Sequence, residues 1–244
     1  GGEMHKEKII EVRDLTKNFG SLTALDKLNF DIYKGEIFGI LGPNGAGKST
    51  LISILTTVGR PSSGDVYIKG FSVTKQPDKI KRSIGFVPHD IALYPTLSGI
   101  DNLKCWAGIY GLSGSIKKER IKEALSIVRL EDRAKDRVDK YSGGMKRRLN
   151  IAVALLHHPE ILVMDEPTVG VDIQSRKYVL DALKELRSQG KTIILTGHYI
   201  DEMESLCDRI AVIDKGIIRV IGSAHELKSA YGVDKIEDIM LSFD

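Results

Sequence analysis

Cysteine is nearly missing from this sequence: Cys105 and Cys207 are the only two. They stand far apart and in no CxxC or Cys/His spacing, so a disulfide framework or a zinc site has no support. Both are expected to be small buried apolar groups. Proline is scarce too, 7 in 244 residues, and no Pro-rich linker, low-complexity tract or internal repeat interrupts the chain. An excess of one charge is also lacking. With 36 Lys plus Arg against 33 Asp plus Glu the formal net charge is +3, too near balance to indicate a nucleic-acid surface, so no nucleic-acid partner is expected. The longest apolar runs, around Ile37 to Leu41 and Ile161 to Met164, are strand-sized and far short of the roughly 20 residues a bilayer-spanning helix needs. The start, GGEMHKEKII, has no apolar core of the kind a secretory signal requires, and Gly1 and Gly2 read as an added remnant. A cytosolic chain is the expectation. What is present, 42% hydrophobic and 28% charged residues, excludes global disorder and suits a sizeable buried interior.

Hydropathy patterning divides the chain. Ile10 and Val12, then Leu28, Phe30 and Ile32, alternate with polar neighbours, which predicts antiparallel strands with one wet face. The continuous apolar run EIFGILG enters a glycine-rich loop, and the pattern turns helical after Lys48. Apolar strands follow at Ile84 to Val87, Ile161 to Met164, Ile193 to Leu195 and Ile210 to Ile213, with helical stretches between them. That alternation predicts an α/β fold with a mostly parallel sheet covered on both faces. Residues 91–159 show helical periodicity only and read as an inserted helical subdomain. The rest, 4–90 and 160–244, reads as a core with an antiparallel β subdomain at its start, all within one domain of 4–244. Two strands around a Lys215-Gly216 turn, then a helix opened by Ser223, are expected in the tail.

GPNGAGKST satisfies G-x-x-x-x-G-K-[ST] and stands between a buried strand and a helix. Its residues are Gly42, Pro43, Asn44, Gly45, Ala46, Gly47, Lys48, Ser49 and Thr50. Glycines let backbone N–H groups converge on an anion, and the helix start adds partial positive charge. Lys48 is expected on the β and γ phosphates, Ser49 on Mg²⁺, and Thr50 on phosphate. ILVMDEP is a second strand ending in two acids, and carboxyl ends of parallel strands line the ligand crevice. Asp165 would anchor Mg²⁺ through water while Glu166 orients or deprotonates the attacking water. Taken alone, Asp-Glu-Pro is as well a solvated turn. YSGGM offers Ser142 as N-cap of a helix, with Gly143 and Gly144 exposing backbone N–H groups. It reads as an ordinary capped helix or as a second phosphate clamp, and a second clamp implies a second molecule.

GPNGAGKST, YSGGM, ILVMDEP, the following TVGVD and His198 in LTGHYIDE resemble, in order and spacing, the ATP-binding-cassette nucleotide-binding domains. The resemblance covers nearly the whole chain. It implies a P-loop NTPase core of RecA type, ATP and Mg²⁺ as cofactors, and two domains that sandwich two ATP molecules head to tail. Each nucleotide would be held by one partner's phosphate loop and the other's Ser142, Gly143 and Gly144. It further implies that Phe19 stacks on adenine, unless it is core, that His198 contacts the γ-phosphate, unless it is structural, and that Asp172 links the two sites across the dimer. Asp172 is also placed to cap a helix. The dimer would pair two copies, or one copy with a similar ATPase chain.

YSGGMKRRL, PTLSGIDNLKCWAGIYGL and HYIDEMESLCDRIAVIDKG resemble the single-domain ATPases that pair with separate membrane subunits exporting drugs, lipids or polysaccharides. No extended regulatory domain of the kind many sugar importers carry is expected after the core. The resemblance implies a cytoplasmic subunit bound peripherally to the inner face of the membrane through an integral membrane permease. Ile91, Leu93, Tyr94 and Trp106 would edge a groove for a short helix of that permease, or else only fill the helical lobe. A non-transport cassette acting as an assembly or scaffold switch is the alternative. A guanine-nucleotide switch is disfavoured by the lack of an NKxD motif.

The sequence departs from the family pattern at three places: Met145 stands for the usual Gln, Tyr141 for Leu, and His89 for the Gln after IGFVP. That Gln touches Mg²⁺ and the attacking water, so His89 is a candidate metal contact. Neutral imidazole ligates through nitrogen, whereas imidazolium is repelled by a metal. Turnover is therefore expected to fall more steeply at mildly acid pH than in His89→Gln. Identical pH–rate profiles for the two proteins would remove that role.

Overall fold

A computed structural model of the chain describes residues 7–243. The expectations for Gly1 and Gly2, and for residues 4–6 and 244 of the single domain, lie outside the described residues. Two long strands open the chain, β1 (Lys8–Phe19) and β2 (Leu22–Tyr33). They pair antiparallel with Val12 opposite Phe30 and Leu15 opposite Leu28. Because side chains alternate across a strand, Ile10, Val12, Leu28 and Ile32 turn inward while Asn29 is exposed. Next come β3 (Ile37–Leu41) and α1 (Lys48–Leu55), and then β4 (Ser63–Ile68) and β5 (Phe71–Ser72). The last two complete a four-stranded sheet of order β2-β1-β4-β5.

The short helix α2 (Pro77–Lys81) leads into β6 (Ile84–Val87). Three helices follow, α3 (Gly99–Ile109), α4 (Gly114–Ile127) and α5 (Gly143–Leu155), before β7 (Ile161–Met164). The chain continues through α6 (Ile173–Ser188), β8 (Thr192–Gly197), α7 (Ile200–Leu206), β9 (Arg209–Asp214) and β10 (Ile217–Gly222). It closes with α8 (Ala224–Tyr231) and α9 (Ile236–Leu241). Ser223 opens α8 with a capping box, its side chain accepting from the Glu226 N–H while the Glu226 carboxylate accepts from the Ser223 N–H.

The second sheet has the order β10-β9-β3-β8-β7-β6. Every neighbouring pair is parallel except β9 with β10 at one edge. Its central strands are buried on both faces, which explains their unbroken apolar runs. Along β3, Ile37 and Leu41 join one core and Phe38 and Ile40 the other. The first core also takes Leu103 of α3 and Leu149 and Ile151 of α5, so the helices between β6 and β7 share an interior with the sheet. Register fixes the functional edge: Leu41 lies opposite Gly197, and Met164 opposite Leu195.

Cys207 is buried as expected, and burial pushes its thiol well above the ordinary value. Cys105 is exposed, contrary to expectation. The inward face of α3 is made by Gly99, Asn102, Leu103 and Ala107, and Cys105 lies off that stripe. No helix among the described residues is long and apolar enough to cross a membrane.

Candidate active site

The strand ends gather the predicted residues along one edge. The phosphate loop leaves β3 at Gly42 and runs into α1 at Lys48. A Cβ on Gly42 would stand 2.1 Å from the Ile213 carbonyl oxygen, and Gly47 has φ +108°, so neither position accepts another residue without moving backbone. Lys48 is 6% exposed and donates to the carbonyl oxygens of Gly42 at 2.8 Å and Pro43 at 3.0 Å. Burial holds its ammonium below the usual lysine value, while the Glu166 and Asp165 carboxylates act to raise it.

β7 delivers Asp165 and Glu166 beside that loop. Thr196 of β8, fully buried, joins them: its Oγ1 accepts from the Glu166 N–H at 2.9 Å and donates to Asp165 Oδ1 at 2.7 Å. Glu166 has φ +50°, unusual for a residue with a side chain, and Pro167 after it disfavours the right-handed helical region. The resulting kink gives the two adjacent acids different surroundings. Asp165 faces Thr196, whereas Glu166 reaches two histidines. Its Oε1 is 2.5 Å from His198 Nε2 and its Oε2 is 3.5 Å from His89 Nδ1.

A cleft of about 500 Å³ lies over the phosphate loop, lined by Phe19, Ala24, Asn44, Lys48, Ser49 and Glu166 among others. Phe19 is 55% exposed rather than core, with the Lys17 ammonium 4.9 Å from its ring centroid. Cleft, lysine and exposed aromatic ring fit a nucleoside triphosphate. Among the described residues no cluster of three or more His, Cys, Asp or Glu forms a metal cage. The Ser49 hydroxyl and the Asp165 carboxylate are hard oxygen donors of the kind that suits Mg²⁺.

Ser142, Gly143 and Gly144 are not among the residues lining this cleft. Ser142 caps α5, its hydroxyl accepting from the Met145 N–H at 3.2 Å. Gly144 packs against the start of α6, where a Cβ would meet Ser175 Oγ at 2.1 Å. Asp172 caps α6 by accepting from the Ser175 N–H at 2.9 Å, and this bond holds its carboxyl below the usual range. Tyr141 is buried and donates from its hydroxyl to the Arg133 carbonyl oxygen at 2.6 Å, while Met145 packs partly buried on the core.

Sequence reasoning missed Thr196, although a hydroxyl two residues before His198 at a buried strand end was a usable signal. It also missed Glu202. That carboxylate, 8% exposed, accepts from Thr168 Oγ1 at 3.0 Å and Arg176 Nη2 at 2.9 Å, joining the loop before α6 and the first turn of α6 to α7.

A family model described as ABC transporter matches residues 25–169, more than half of the chain. The chain belongs to the ABC transporter family. It is 46% identical to the linearmycin resistance ATP-binding protein LnrL of Bacillus subtilis, over 96% of this chain and 75% of that protein. It is 40% identical to the Nod factor export ATP-binding protein I of Cupriavidus metallidurans, over 94% of this chain and 76% of that one. The doxorubicin resistance ATP-binding protein DrrA of Mycobacterium tuberculosis matches at 41%, over 87% of this chain and 64% of its own length. A solved ATP-binding subunit of an ABC transporter superposes with TM-score 0.86 at 27% identity, covering 96% of this chain and 98% of the other. A dimeric ATP-binding cassette, MJ0796, in a post-hydrolysis state with ADP and Pi, superposes with TM-score 0.79 at 30% identity, covering 88% and 98%. ATP binding and hydrolysis are therefore the activity of this ABC subunit.

Thr196→Val keeps shape but takes the acceptor from the half-buried Glu166 N–H. Urea unfolding is expected to show a loss of about 1–3 kcal/mol, with slower turnover; unchanged stability and rate would mean the hydroxyl is dispensable.

Proposed function

We propose that this chain is the motor subunit of an ABC exporter, working as a dimer whose two composite sites close around two Mg·ATP. The carrying observation is the separation of the two clamps: Ser142 and Gly143 are exposed, and neither lines the cleft above Lys48. A second chain placed head to tail supplies what the cleft lacks. Ile173, 89% exposed beside Asp172, is the kind of apolar group such an interface covers. The partner is a second copy or a similar ATPase chain.

When bound, Mg·ATP supplies the scissile phosphoanhydride and a divalent charge on its oxygens. Phe19 stacks on the adenine. The phosphate-loop N–H groups from Gly42 to Thr50 and the Lys48 ammonium hold the phosphates, with Ser49 and Asp165 on the metal and His89 beside it. Glu166 orients the attacking water and takes its proton. His198, already at Glu166, holds that carboxylate in place and turns toward the γ-phosphate. Ser142, Gly143 and Gly144 of the partner chain place N–H groups and a hydroxyl on the γ-phosphate, stabilising charge where it develops. Asp172 links the two sites across the interface.

Within one domain of 4–244, the helical subdomain 91–159 would carry the stroke from the core 4–90 and 160–244 to an integral membrane permease. The chain would sit in the cytoplasm at the inner face of the membrane. Ile91 and Tyr94 are exposed beside the partly buried Leu93 and Trp106, as a permease-facing groove requires. The resistance and export names of the relatives support export over import.

Glu166→Gln is expected to bind ATP and accumulate as a nucleotide-bound dimer with little hydrolysis; normal turnover would refute the assignment of Glu166. Mixing Lys48→Ala with Ser142→Arg chains should restore one working site per mixed dimer, measured as ATPase activity above either variant alone. Defects that stay confined to their own chains would sink the shared-site reading.

A further inference from the structure

The segment leaving β6 is gripped by the helix that starts at Ser142. Arg147, 5% exposed, donates from Nη1 to the Pro88 carbonyl oxygen at 2.8 Å and from Nη2 to that of His89 at 2.6 Å. One turn further along α5, Asn150 is 2% exposed. Its Oδ1 accepts from the Ala92 N–H at 3.2 Å and its Nδ2 donates to the Asp90 carbonyl oxygen at 3.4 Å. Four backbone groups between Pro88 and Ala92 are thus bonded by two side chains of one helix.

Arg147 is held by backbone, as the neighbouring Arg148 is by the Val128 and Arg129 carbonyl oxygens, but the carbonyls it fixes belong to the segment that carries His89. Among the described residues no carboxylate bonds its guanidinium; burial works against the charge, and the Asp165, Asp90 and Glu166 carboxylates support it from further away. Burying a guanidinium is costly, and an apolar side chain of similar length would pack at less expense to stability. What an apolar group cannot do is fix two successive carbonyl oxygens. The rigid planar fork sets the direction of both, and with them the peptide that carries His89. The His89 ring then stands with Nδ1 3.5 Å from Glu166 Oε2.

We propose that Arg147 is a positioning residue for hydrolysis: it locks the backbone of His89 so that the imidazole is aimed at Glu166. The proposal rests on the role given above to Glu166. Because α5 also begins at Ser142, the same grip ties the hydrolytic loop of one site to the clamp offered to the other.

The test is a double-mutant cycle on the whole chain with Mg·ATP as substrate. Arg147→Met is expected to lower kcat about tenfold with KM for ATP changed by less than about twofold. In a His89→Ala background the same change should cost less than about twofold more, because the group it positions is gone. A kcat within about twofold of the parent, or the full loss retained without His89, overturns the proposal. If Arg147→Met does not melt cooperatively, the cycle is run with Arg147→Lys, which keeps the charge but cannot hold both carbonyls. Glu166→Gln is assayed alongside: its normal turnover would indict the hydrolytic assignment, whereas its failure beside an unaffected Arg147 variant would indict the tether alone.

Discussion

The in-register parallel pairing of β3, β8 and β7 is the constraint on which the site depends. Leu41 beside Gly197, and Met164 beside Leu195, mean that the residues just past those strand ends emerge side by side. The phosphate loop therefore starts level with His198, and Asp165 starts level with Thr196. A slip of one residue would turn every side chain of the strand to the opposite face and exchange the two cores. Two-sided burial makes such a slip costly, since Phe38 and Ile40 face one interior while Ile37 and Leu41 face the other. The chemistry at the edge is thus specified by packing in the middle.

On that edge, short polar links refine what the sheet places roughly. Thr196 bonds both Asp165 and the Glu166 backbone, so two neighbouring acids are separated in direction by one hydroxyl and one kinked peptide. Glu202 does comparable work, tying the loop before α6 through Thr168, and α6 itself through Arg176, to the helix after His198. A fixed set of such groups is what electrostatic catalysis requires, since donors and carboxylates that must first reorganise lose most of their effect.

Much of this was legible in the sequence, for identifiable reasons. Strands buried on both faces leave continuous apolar runs, so β3, β7, β8 and β9 were readable, as were the wet-faced β1 and β2 from their alternation. The strand β4 was overlooked because only Val66 and Ile68 turn fully inward and Gly64 breaks the pattern. Among site residues, the phosphate loop and the Asp165-Glu166 pair were visible because their spacing is set by local backbone geometry. Thr196, Arg147 and Glu202 were not, because their partners lie 26 to 59 positions away and only the folded chain brings them together. Cys105 misled for the opposite reason: composition favours burial, but one helix face decides it.

The abutting starts of α5 and α6 set apart two neighbouring glycines that look interchangeable on paper. At 144 the space a methyl group would need is taken by Ser175, so the architecture itself dictates the smallest residue. At 143 the nearest atom to such a methyl is the Gly170 carbonyl oxygen, 3.8 Å off, and ordinary contact would suffice. Folding of the chain therefore makes no demand for glycine at 143, and the bare backbone there leaves the exposed start of α5 open to a second molecule.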